Sequence, residues 1–291
     1  SAASQSHSCH AAVMAWLAPA VNGTSVEFRW RDLVGIIVCM VSARSAAMAF
    51  NRLVDRQIDR DNPRTEGRHL PAGLLGVGSV VVFLVSSSVL FVGATFIFWP
   101  NRLPLLLSLP VLLFLLAYSY TKRFTALAHF WLGTALMLAP VSAWIALRGA
   151  VVMVDPMDLL PALTLGLAVL FWVSGFDIIY ACQDVDFDAS VKLHSVPVRL
   201  GVRRALRLAA LCHIAMLFFL LVLPIGYALG GPVLDLGWIY WIGILAVGIL
   251  LFYEHAMVTP EDLTRVNIAF FNINAMVSLG LFVLVTVDLL V

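Results

Sequence analysis

Two short stretches of this sequence space carboxylates four residues apart, a pattern typical of oxygen ligands for a hard cation. Asn51, Asp55 and Asp59 form the first stretch, and Asp184 and Asp188 form the second. Residues four apart share one face of a helix, so each set predicts a small cluster of oxygen atoms. Mg²⁺ binds through one or two carboxylates and takes its other ligands from water and substrate phosphates. The two stretches therefore predict a diphosphate site in which carboxylates hold Mg²⁺.

Basic residues beside both stretches indicate how phosphates would be held. Arg64 and Arg68 follow the first stretch, and Lys192 and His194 follow the second in the same way. One charged loop is usually a solvated surface, but two matched clusters indicate repeated halves that meet at a shared site. His194 fits a contact to phosphate better than a dedicated base.

Three further residues carry weaker signals. Tyr180 lies one turn before Asp184 and fits equally a hydrogen bond to a carboxylate or phosphate and an aromatic residue at the membrane interface. Asp186 is either a spare ligand or a solvated charge. Asp177 lies within an apolar run, and we predict that it contacts substrate or pairs with cations of a cavity.

Arg44 is a cation inside an apolar run. It precedes Asn51 by seven residues, so the two side chains lie two helical turns apart on the same face. A charge within a membrane helix costs at least about 2.5 kcal/mol and by default indicates a functional site. The alternative is a snorkelling or paired structural arginine. We predict that Arg44 holds an anionic group of a substrate near the diphosphate site.

Composition predicts the elements that position these residues. The 291-residue chain is 62% hydrophobic and 12% charged, which is too apolar for a water-soluble domain. Its net charge of +1 gives no reason to expect a nucleic-acid partner. A membrane-spanning helix takes about 20 residues. We predict an all-α, multi-pass protein of the lipid bilayer with eight to nine transmembrane helices. Residues 1–30 are either an uncertain N-terminal segment or a short, re-entrant or damaged first helix. The other runs lie near 33–50, 77–99, 103–120, 126–147, 158–180, 205–228, 238–257 and 266–291.

The distribution of loop charges predicts the orientation. Cytoplasmic loops carry an excess of lysine and arginine. Both aspartate stretches lie in basic loops, and Lys122 and Arg123 lie in a third loop on the same side. We therefore expect the acidic motifs to face the cytoplasm, in a bacterium from the inner membrane. The loops predicted on the other side have fewer basic residues, namely Arg29, Arg31, Arg102 and Arg148.

Together these features resemble the UbiA family of membrane prenyltransferases. "NRLVDRQID" is similar to the family's NxxxDxxxD motif, "DVDFD" to its DxxxD motif, and "YSYTKRFT" to the basic loop between them. More narrowly, "FDIIYACQDVDFD", "LHSVPVRLG" and "DLTRVNIAFFNIN" resemble the 4-hydroxybenzoate polyprenyltransferase-like (MqnP-like) branch, which is associated with menaquinone made by way of futalosine. The resemblance predicts a membrane domain over residues 31–291 and leaves the family's usual first helix unrecognised.

The resemblance also implies roles for the residues. It implies helices around a central cavity, which the aspartates cap at the cytoplasmic face. By position, Asn51, Asp55 and Asp59 would bind one Mg²⁺ and Asp184 and Asp188 another, and these four aspartates are the predicted catalytic residues. Arg44 matches a position near the aromatic acceptor. The diphosphate or the acceptor's carboxylate would be contacted by Arg64, Arg68, Lys122, Arg123 and Lys192.

The implied reaction is Mg²⁺-dependent transfer of a polyprenyl group from a polyprenyl diphosphate to a small hydroxyaromatic acid in quinone biosynthesis. The acceptor would be 4-hydroxybenzoate-like or naphthoate-type. One alternative is a UbiA-type enzyme with a different acceptor. Another is a transporter of divalent cations or organic anions. A transporter favours carboxylates near the bilayer midplane, whereas nearly all the acids here lie at one face.

Overall fold

The computed structural model describes residues 2–18, 26–62, 65–260, 263, 266 and 273–290, which form α-helices joined by 3₁₀ turns and short loops. The α-helices are numbered here in chain order. They are α1 (Ala2–Leu17), α2 (Trp30–Val54), α3 (Arg56–Asp61), α4 (Val77–Ala94), α5 (Leu103–Thr121), α6 (Ala128–Val154), α7 (Leu160–Ala181), α8 (Val185–Ser190), α9 (Val196–Leu200), α10 (Val202–Val222), α11 (Trp238–Met257) and α12 (Asn274–Leu290).

Seven helical segments of the described chain are long and apolar enough to cross a membrane. They contain α2, α4, α5, α6, α7, α10 and α11, while α12 is apolar but shorter, at 17 residues. Their outer faces expose large apolar side chains such as Phe83, Leu113 and Phe252, which suit contact with lipid. The predicted all-α, multi-pass membrane fold is confirmed. Residues 267–272 of the last predicted run lie outside the described residues.

Helix α1 lies in the part of the chain for which the sequence predicts only a short or damaged helix. It is 16 residues long and packs against α6 and α12. Ala11, Ala12 and Ala15 are fully buried, and such small residues let helices approach closely within a membrane. The first half of α1 is rich in serine and histidine, so hydropathy alone gives little sign of it.

The prediction that Arg148 lies in an external loop is wrong. Helix α6 continues past it, and Arg148 is fully buried at a kink where φ is −112° and ψ is 15°. Its guanidinium pairs with Asp158 at 2.6 Å and donates to the carbonyl oxygens of Ala15 and Ala18 at the end of α1. A charge is tolerated in the interior when it is paired and hydrogen-bonded. The sequence does not reveal this ion pair, because Asp158 lies beyond the end of α6, outside the helix that contains Arg148.

Helices α6 and α7 approach closely at a glycine. A Cβ atom at Gly133 would lie 2.5 Å from both the Leu170 carbonyl oxygen and the Ser174 hydroxyl, so only glycine fits this contact. Gly133 lies one turn after His129 on α6, and Ser174 lies three residues before Asp177 on α7. The contact therefore brings the start of α6, which contains His129, close to the part of α7 that contains Asp177.

Candidate active site

A cavity of about 440 Å³ lies among α2, α4, α5, α6 and α7. Helix α2 lines it from Ile36 to Arg52, a length of about 24 Å at 1.5 Å per residue. Most of the lining side chains are apolar, including Phe91, Leu115 and Phe176. An elongated apolar cavity of this kind suits a hydrocarbon chain.

Charged and amide side chains of the lining lie on two helices. Arg44, Asn51 and Arg52 lie on α2, and Asp177 lies on α7. Arg44 and Asn51 are two turns, about 10 Å, apart on the cavity face, as their spacing predicts. Among the described residues that line the cavity, Asp177 is the only carboxylate. The cavity thus offers a cation below its aspartate-rich end and one acidic group.

The first aspartate motif is interrupted by a helix end. Helix α2 ends at Val54, and Asp55 has φ −93° and ψ 6° before α3 begins, so the motif does not continue one helix as predicted. Asn51 Nδ2 donates to Asp55 Oδ2 at 2.8 Å, and Arg123 Nη2 donates to Asp55 Oδ1 at 3.2 Å. Arg123 also donates to the Val54 carbonyl oxygen at 2.9 Å. The basic loop after α5 is thereby attached to the end of α2.

Asp59 is neutralised by arginines. Arg68 Nη1 lies 2.7 Å and 2.8 Å from its two carboxylate oxygens, and Arg52 Nη1 lies 3.4 Å from Oδ2. Thr65 Oγ1 donates to the Asp59 carbonyl oxygen at 2.8 Å. Asp59 is buried, so these contacts hold the loop after α3 against the helix. Arg52 also lines the cavity, which connects this ion-pair network to it.

The second motif contains a buried carboxylate oxygen that makes no hydrogen bond of standard geometry within the described chain. Asp184 ends a 3₁₀ turn after α7, and Asp188 lies in α8 with 5% exposure. Asp186 is exposed, which favours the solvated interpretation of that residue. Within the described chain, neither Asp188 Oδ2 nor the Ser195 hydroxyl makes a hydrogen bond of standard geometry, although Ser195 lies near the Asp188 carboxylate. Burying a carboxylate oxygen in this way is costly, so Asp188 is suited to bind a cation.

Lys122 lies between the two motifs. It follows the last residue of α5 and acts electrostatically on Asp55 and Asp188, and on Asp177 of the cavity. The His194 backbone N–H donates to the Lys122 carbonyl oxygen at 2.7 Å, which attaches the segment after Asp188 to the basic loop. The fold thus brings both motifs to one cationic loop.

The charge state of Asp55 depends on its neighbours. Burial raises the pKa of Asp55 above its ordinary value, and the hydrogen bond and charge of Arg123 oppose that rise. Asp59 adds a smaller effect that raises the pKa, and Lys122 adds a smaller effect that lowers it. Asp55 is therefore harder to ionise than an exposed aspartate, and the basic loop helps to keep it charged.

Asp177 is bound to a residue that the sequence does not single out. His129, fully buried in the first turn of α6, lies with its Nδ1 atom 2.6 Å from Asp177 Oδ2. The Val196 N–H donates to the other ring nitrogen, Nε2, at 3.3 Å. Asp177 thus has histidine as its hydrogen-bond partner in addition to the charge of Lys122. No helical spacing connects His129 with Asp177, which are 48 residues apart.

The other predicted contacts lie at the edge of the site. Tyr180 packs against the main hydrophobic core, outside the cavity lining. Lys192, at a left-handed φ of 58°, and His194 are exposed. Arg64 lies outside the described residues. Arg52 also lines the cavity and is not among the predicted site residues, although its position beside Asn51 in the sequence is a signal for it. The roles of these residues stay predictions.

The aspartates fit a metal ion that takes few ligands from the protein. Among the described residues, no group of three or more histidine, cysteine and acidic side chains is placed to hold a metal ion. Mg²⁺ needs only one or two carboxylates when substrate phosphates and water complete its shell. Asp188 Oδ2 makes no hydrogen bond of standard geometry within the described chain, whereas Asp59 is already paired with arginines. The donor set therefore fits Mg²⁺ better at the second motif than at Asp59.

Comparison with known proteins shows relatives over most of the chain. The model of the UbiA prenyltransferase family matches residues 11–276. A 4-hydroxybenzoate octaprenyltransferase of Nitrosomonas eutropha is 32% identical over 243 residues, which cover 83% of this chain and 79% of that protein. The Vibrio atlanticus protein of the same name is 30% identical over 257 residues, covering 86% and 84%.

Solved structures agree with these matches. The apo structure of a UbiA homologue from Aeropyrum pernix K1 superimposes with a TM-score of 0.82 at 28% identity, over 98% of this chain and 97% of that one. A UbiA homologue from Archaeoglobus fulgidus bound to GPP and Mg²⁺ has a TM-score of 0.67 at 17% identity, over 97% and 96%, and so supports the fold alone. The prediction of an enzyme is confirmed, and the transporter alternative is not retained. This chain belongs to the UbiA prenyltransferase family, as its aspartate motifs predict.

Proposed function

We propose that this protein transfers a polyprenyl group from a polyprenyl diphosphate to a small hydroxyaromatic acid of the 4-hydroxybenzoate type, in quinone biosynthesis. The observation that carries this proposal is an apolar cavity that has two aspartate motifs near one end. Arg44 and Asp177 line this cavity. A polyprenyl diphosphate has a matching apolar tail and anionic head. The Nitrosomonas and Vibrio relatives, both named 4-hydroxybenzoate octaprenyltransferases, support the acceptor class.

We also propose that the reaction uses Mg²⁺. The Archaeoglobus structure was determined with GPP and Mg²⁺, and the unsatisfied oxygen of Asp188 supports the same chemistry here. Asp184 and Asp188 would hold one ion, and Asn51 and Asp55 would hold another. Bound Mg²⁺ acts as a Lewis acid that stabilises the negative charge on the departing diphosphate.

The fixed cations of the chain hold and orient the diphosphate. Lys122 and Arg123 lie in the loop between the motifs, and Arg52 lies at the cavity wall. Charge-assisted hydrogen bonds from such groups are stronger than neutral ones and favour one orientation of the phosphates. With the head held at this end, the prenyl chain extends into the apolar cavity along α2. The reactive C1 atom then lies inside the protein, away from bulk water.

Arg44 binds the carboxylate of the acceptor. It lies on the cavity face of α2, about two turns from Asn51, so an aromatic acid held there lies beside the C1 end of the prenyl chain. Holding two substrates in reactive geometry removes a large part of the entropic barrier of a bimolecular reaction. The apolar walls exclude water, which would otherwise compete for the prenyl group.

Arg44→Ala tests this assignment. The KM for the aromatic acid should rise by about tenfold or more, because a hydrogen-bonded charge contact of roughly 1.5–3 kcal/mol is lost. The KM for the prenyl diphosphate should change little, because the phosphates have other cations. The measurement is product formation by the purified protein in detergent, with 4-hydroxybenzoate and dihydroxynaphthoate as acceptors.

Arg60→Gln is the matched control, because Arg60 is exposed on α3 and should affect neither KM. Equal losses for both substrates in Arg44→Ala would show that Arg44 binds phosphate or supports the fold. Absence of prenylated product from the wild-type protein with every aromatic acid would overturn the proposed function.

We infer from the excess of basic residues in their loops that the aspartate motifs face the cytoplasm, in a bacterium from the inner membrane. A naphthoate-type acceptor, a role in menaquinone formation and the MqnP-like branch stay predictions, since the names of the relatives support 4-hydroxybenzoate alone. The two-acceptor assay above distinguishes these possibilities.

A further inference from the structure

The hydrogen bonds of His129 define its tautomer. The Val196 N–H donates to Nε2 at 3.3 Å, and a ring nitrogen that accepts a hydrogen bond carries no proton. The proton of the neutral ring is therefore on Nδ1, which donates to Asp177 Oδ2 at 2.6 Å. In a doubly protonated imidazolium, the Nε2–H group would point at the Val196 N–H group. The two hydrogen atoms would repel each other, so the contact with Val196 disfavours the imidazolium form. His129 thus donates from Nδ1 to the Asp177 carboxylate.

Asp177 has one carboxylate oxygen held by His129, and the residue lines the cavity. Its side chain is 16% exposed, whereas His129 is fully buried behind it. Asp177 lines the cavity, and the titratable groups near it are His129 of α6, Tyr118 of α5 and Lys122 after α5. No other described lining residue can accept a proton as a carboxylate.

We infer that His129 is a positioning residue, which holds the Asp177 carboxylate in the orientation that takes the ring proton of the aromatic acceptor. This inference rests on the proposed prenyl transfer. It assigns the proton-accepting role to the cavity wall and leaves the aspartate motifs to the diphosphate.

The bonds and protons balance in this assignment. The acceptor ring carbon ortho to the hydroxyl forms a bond to the prenyl C1 atom, and the C1–O bond breaks with its electron pair leaving on the diphosphate. Asp177 then takes the proton from the same ring carbon, and the C–H electron pair restores aromaticity. The carboxyl group formed releases its proton before the next turnover. His129 keeps its own proton on Nδ1 throughout.

His129 also has a structural role, and the experiment must distinguish this role from the positioning of Asp177. Its Nε2 atom satisfies the N–H of Val196, the first residue of α9, and helix N-terminal N–H groups need such acceptors. Loss of this contact would loosen the start of α9. A purely structural histidine would therefore change stability and both KM values, and its effect would not depend on Asp177.

The first measurement is steady-state kinetics of His129→Leu and His129→Gln. Leucine removes both polar contacts, and kcat should fall by about 100-fold, the lower end of the range for general acid–base catalysis. Glutamine offers one donor and one acceptor, so it should retain kcat within about tenfold of the wild type. The KM for the prenyl diphosphate should stay within about twofold in both variants, because the phosphates bind elsewhere.

A double-mutant cycle tests whether His129 acts through Asp177. Asp177→Asn should lower kcat at least as much as His129→Leu, and adding His129→Leu to Asp177→Asn should cause little further loss. Thr134→Val is the matched control on α6, since it removes a hydrogen bond to the Phe130 carbonyl oxygen away from the cavity lining. Thr134→Val should retain kcat. Full additivity of the two losses would overturn the inference.

Nitrogen NMR of the ¹⁵N-histidine-labelled protein gives a readout that needs no turnover. The resonances lost in His129→Gln should show a protonated Nδ1 and an unprotonated Nε2. The opposite tautomer, or an imidazolium near neutral pH, would overturn the inference even if the variants are inactive. If the wild-type protein prenylates no aromatic acid, the proposed function fails and the base role fails with it. Wild-type activity with unchanged kcat in His129→Leu overturns the positioning role alone.

Discussion

The two aspartate motifs differ in how far the protein itself neutralises their charge. In the first, Asp59 contacts Arg68 and Arg52, and Asp55 contacts Arg123. In the second, Asp188 is as deeply buried as Asp59, yet its Oδ2 atom makes no hydrogen bond of standard geometry within the described chain, although the Ser195 hydroxyl and the charge of Lys122 lie near it. Similar spacing in the sequence therefore produces one ion-paired site and one site with an unsatisfied carboxylate oxygen.

This difference indicates a division of labour. A carboxylate that already contacts arginines gains less from a metal ion than a buried carboxylate oxygen that lacks a partner. Asp59 of the first motif is suited to arranging arginines around the diphosphate, whereas Asp188 of the second motif is suited to binding a metal ion. Lys122 lies near enough to act on Asp55 and Asp188, so the two functions meet at the loop after α5.

The largest expected effect is from Asp188→Asn, which keeps the size of the side chain and removes its charge. We expect kcat/KM to fall by about 100-fold or more, because a Lewis-acid contribution of several kcal/mol is weakened. The Mg²⁺ concentration that gives half-maximal rate should rise. Initial rates of prenyl transfer measured across a Mg²⁺ titration give both quantities.

Asp186→Asn is the matched control, because Asp186 lies two residues away in the same helix and is exposed. It should change the rate by no more than about twofold, as exposed charges contribute little. Equal rates for the two variants would show that burial of Asp188 has no bearing on function, and the comparison between the motifs would fail.

Much of the fold follows from local sequence. The long apolar runs predict the spanning helices, because bilayer thickness fixes the length of such a helix. Helix α1 and the burial of Arg148 cannot be predicted from the local sequence. The first half of α1 is polar, and Arg148 is stabilised by Asp158, which lies past the end of its own helix. Both features depend on packing against distant segments, and hydropathy contains no information about such partners.

The candidate site also has features that the sequence predicts and features that it does not. The four-residue spacing brings Asn51 to Asp55, and the basic residues between the motifs predict a shared cationic loop. The break of the helix at Asp55 could not be predicted, because no glycine or proline marks it. His129 was missed because Asp177 is 48 residues away, and a glycine contact between α6 and α7 brings the two together.

A smaller effect is expected from Asp59→Asn. The substitution leaves Arg68 and Arg52 close together without their shared carboxylate, so we expect unfolding in detergent to begin at a lower temperature. The loss is about 2 kcal/mol, the scale of one hydrogen bond to a charged group. The Mg²⁺ requirement should change much less than in Asp188→Asn.

The double variant Asp59→Asn with Arg68→Gln sharpens this test. Removing one guanidinium relieves the repulsion between the two arginines, so part of the lost thermal stability should return. If Asp59→Asn instead raises the Mg²⁺ requirement as much as Asp188→Asn does, Asp59 is a metal ligand and the division of labour is wrong.

The smallest expected effect concerns the pH dependence of the first motif. Burial raises the pKa of Asp55, and Arg123 lowers it again through a 3.2 Å contact. Arg123→Gln removes that lowering, so the pKa of Asp55 should rise further and a larger fraction of Asp55 should be protonated at any acidic pH. If transfer needs the ionised carboxylate, the acidic limb of the kcat/KM profile should move to higher pH.

Arg123→Lys keeps the charge, so the pH of its acidic limb should lie between those of the glutamine variant and the wild type. Arg56→Gln, at an exposed position next to Asp55, should leave the profile in place. An unchanged acidic limb in Arg123→Gln would show that ionisation of Asp55 does not limit the reaction.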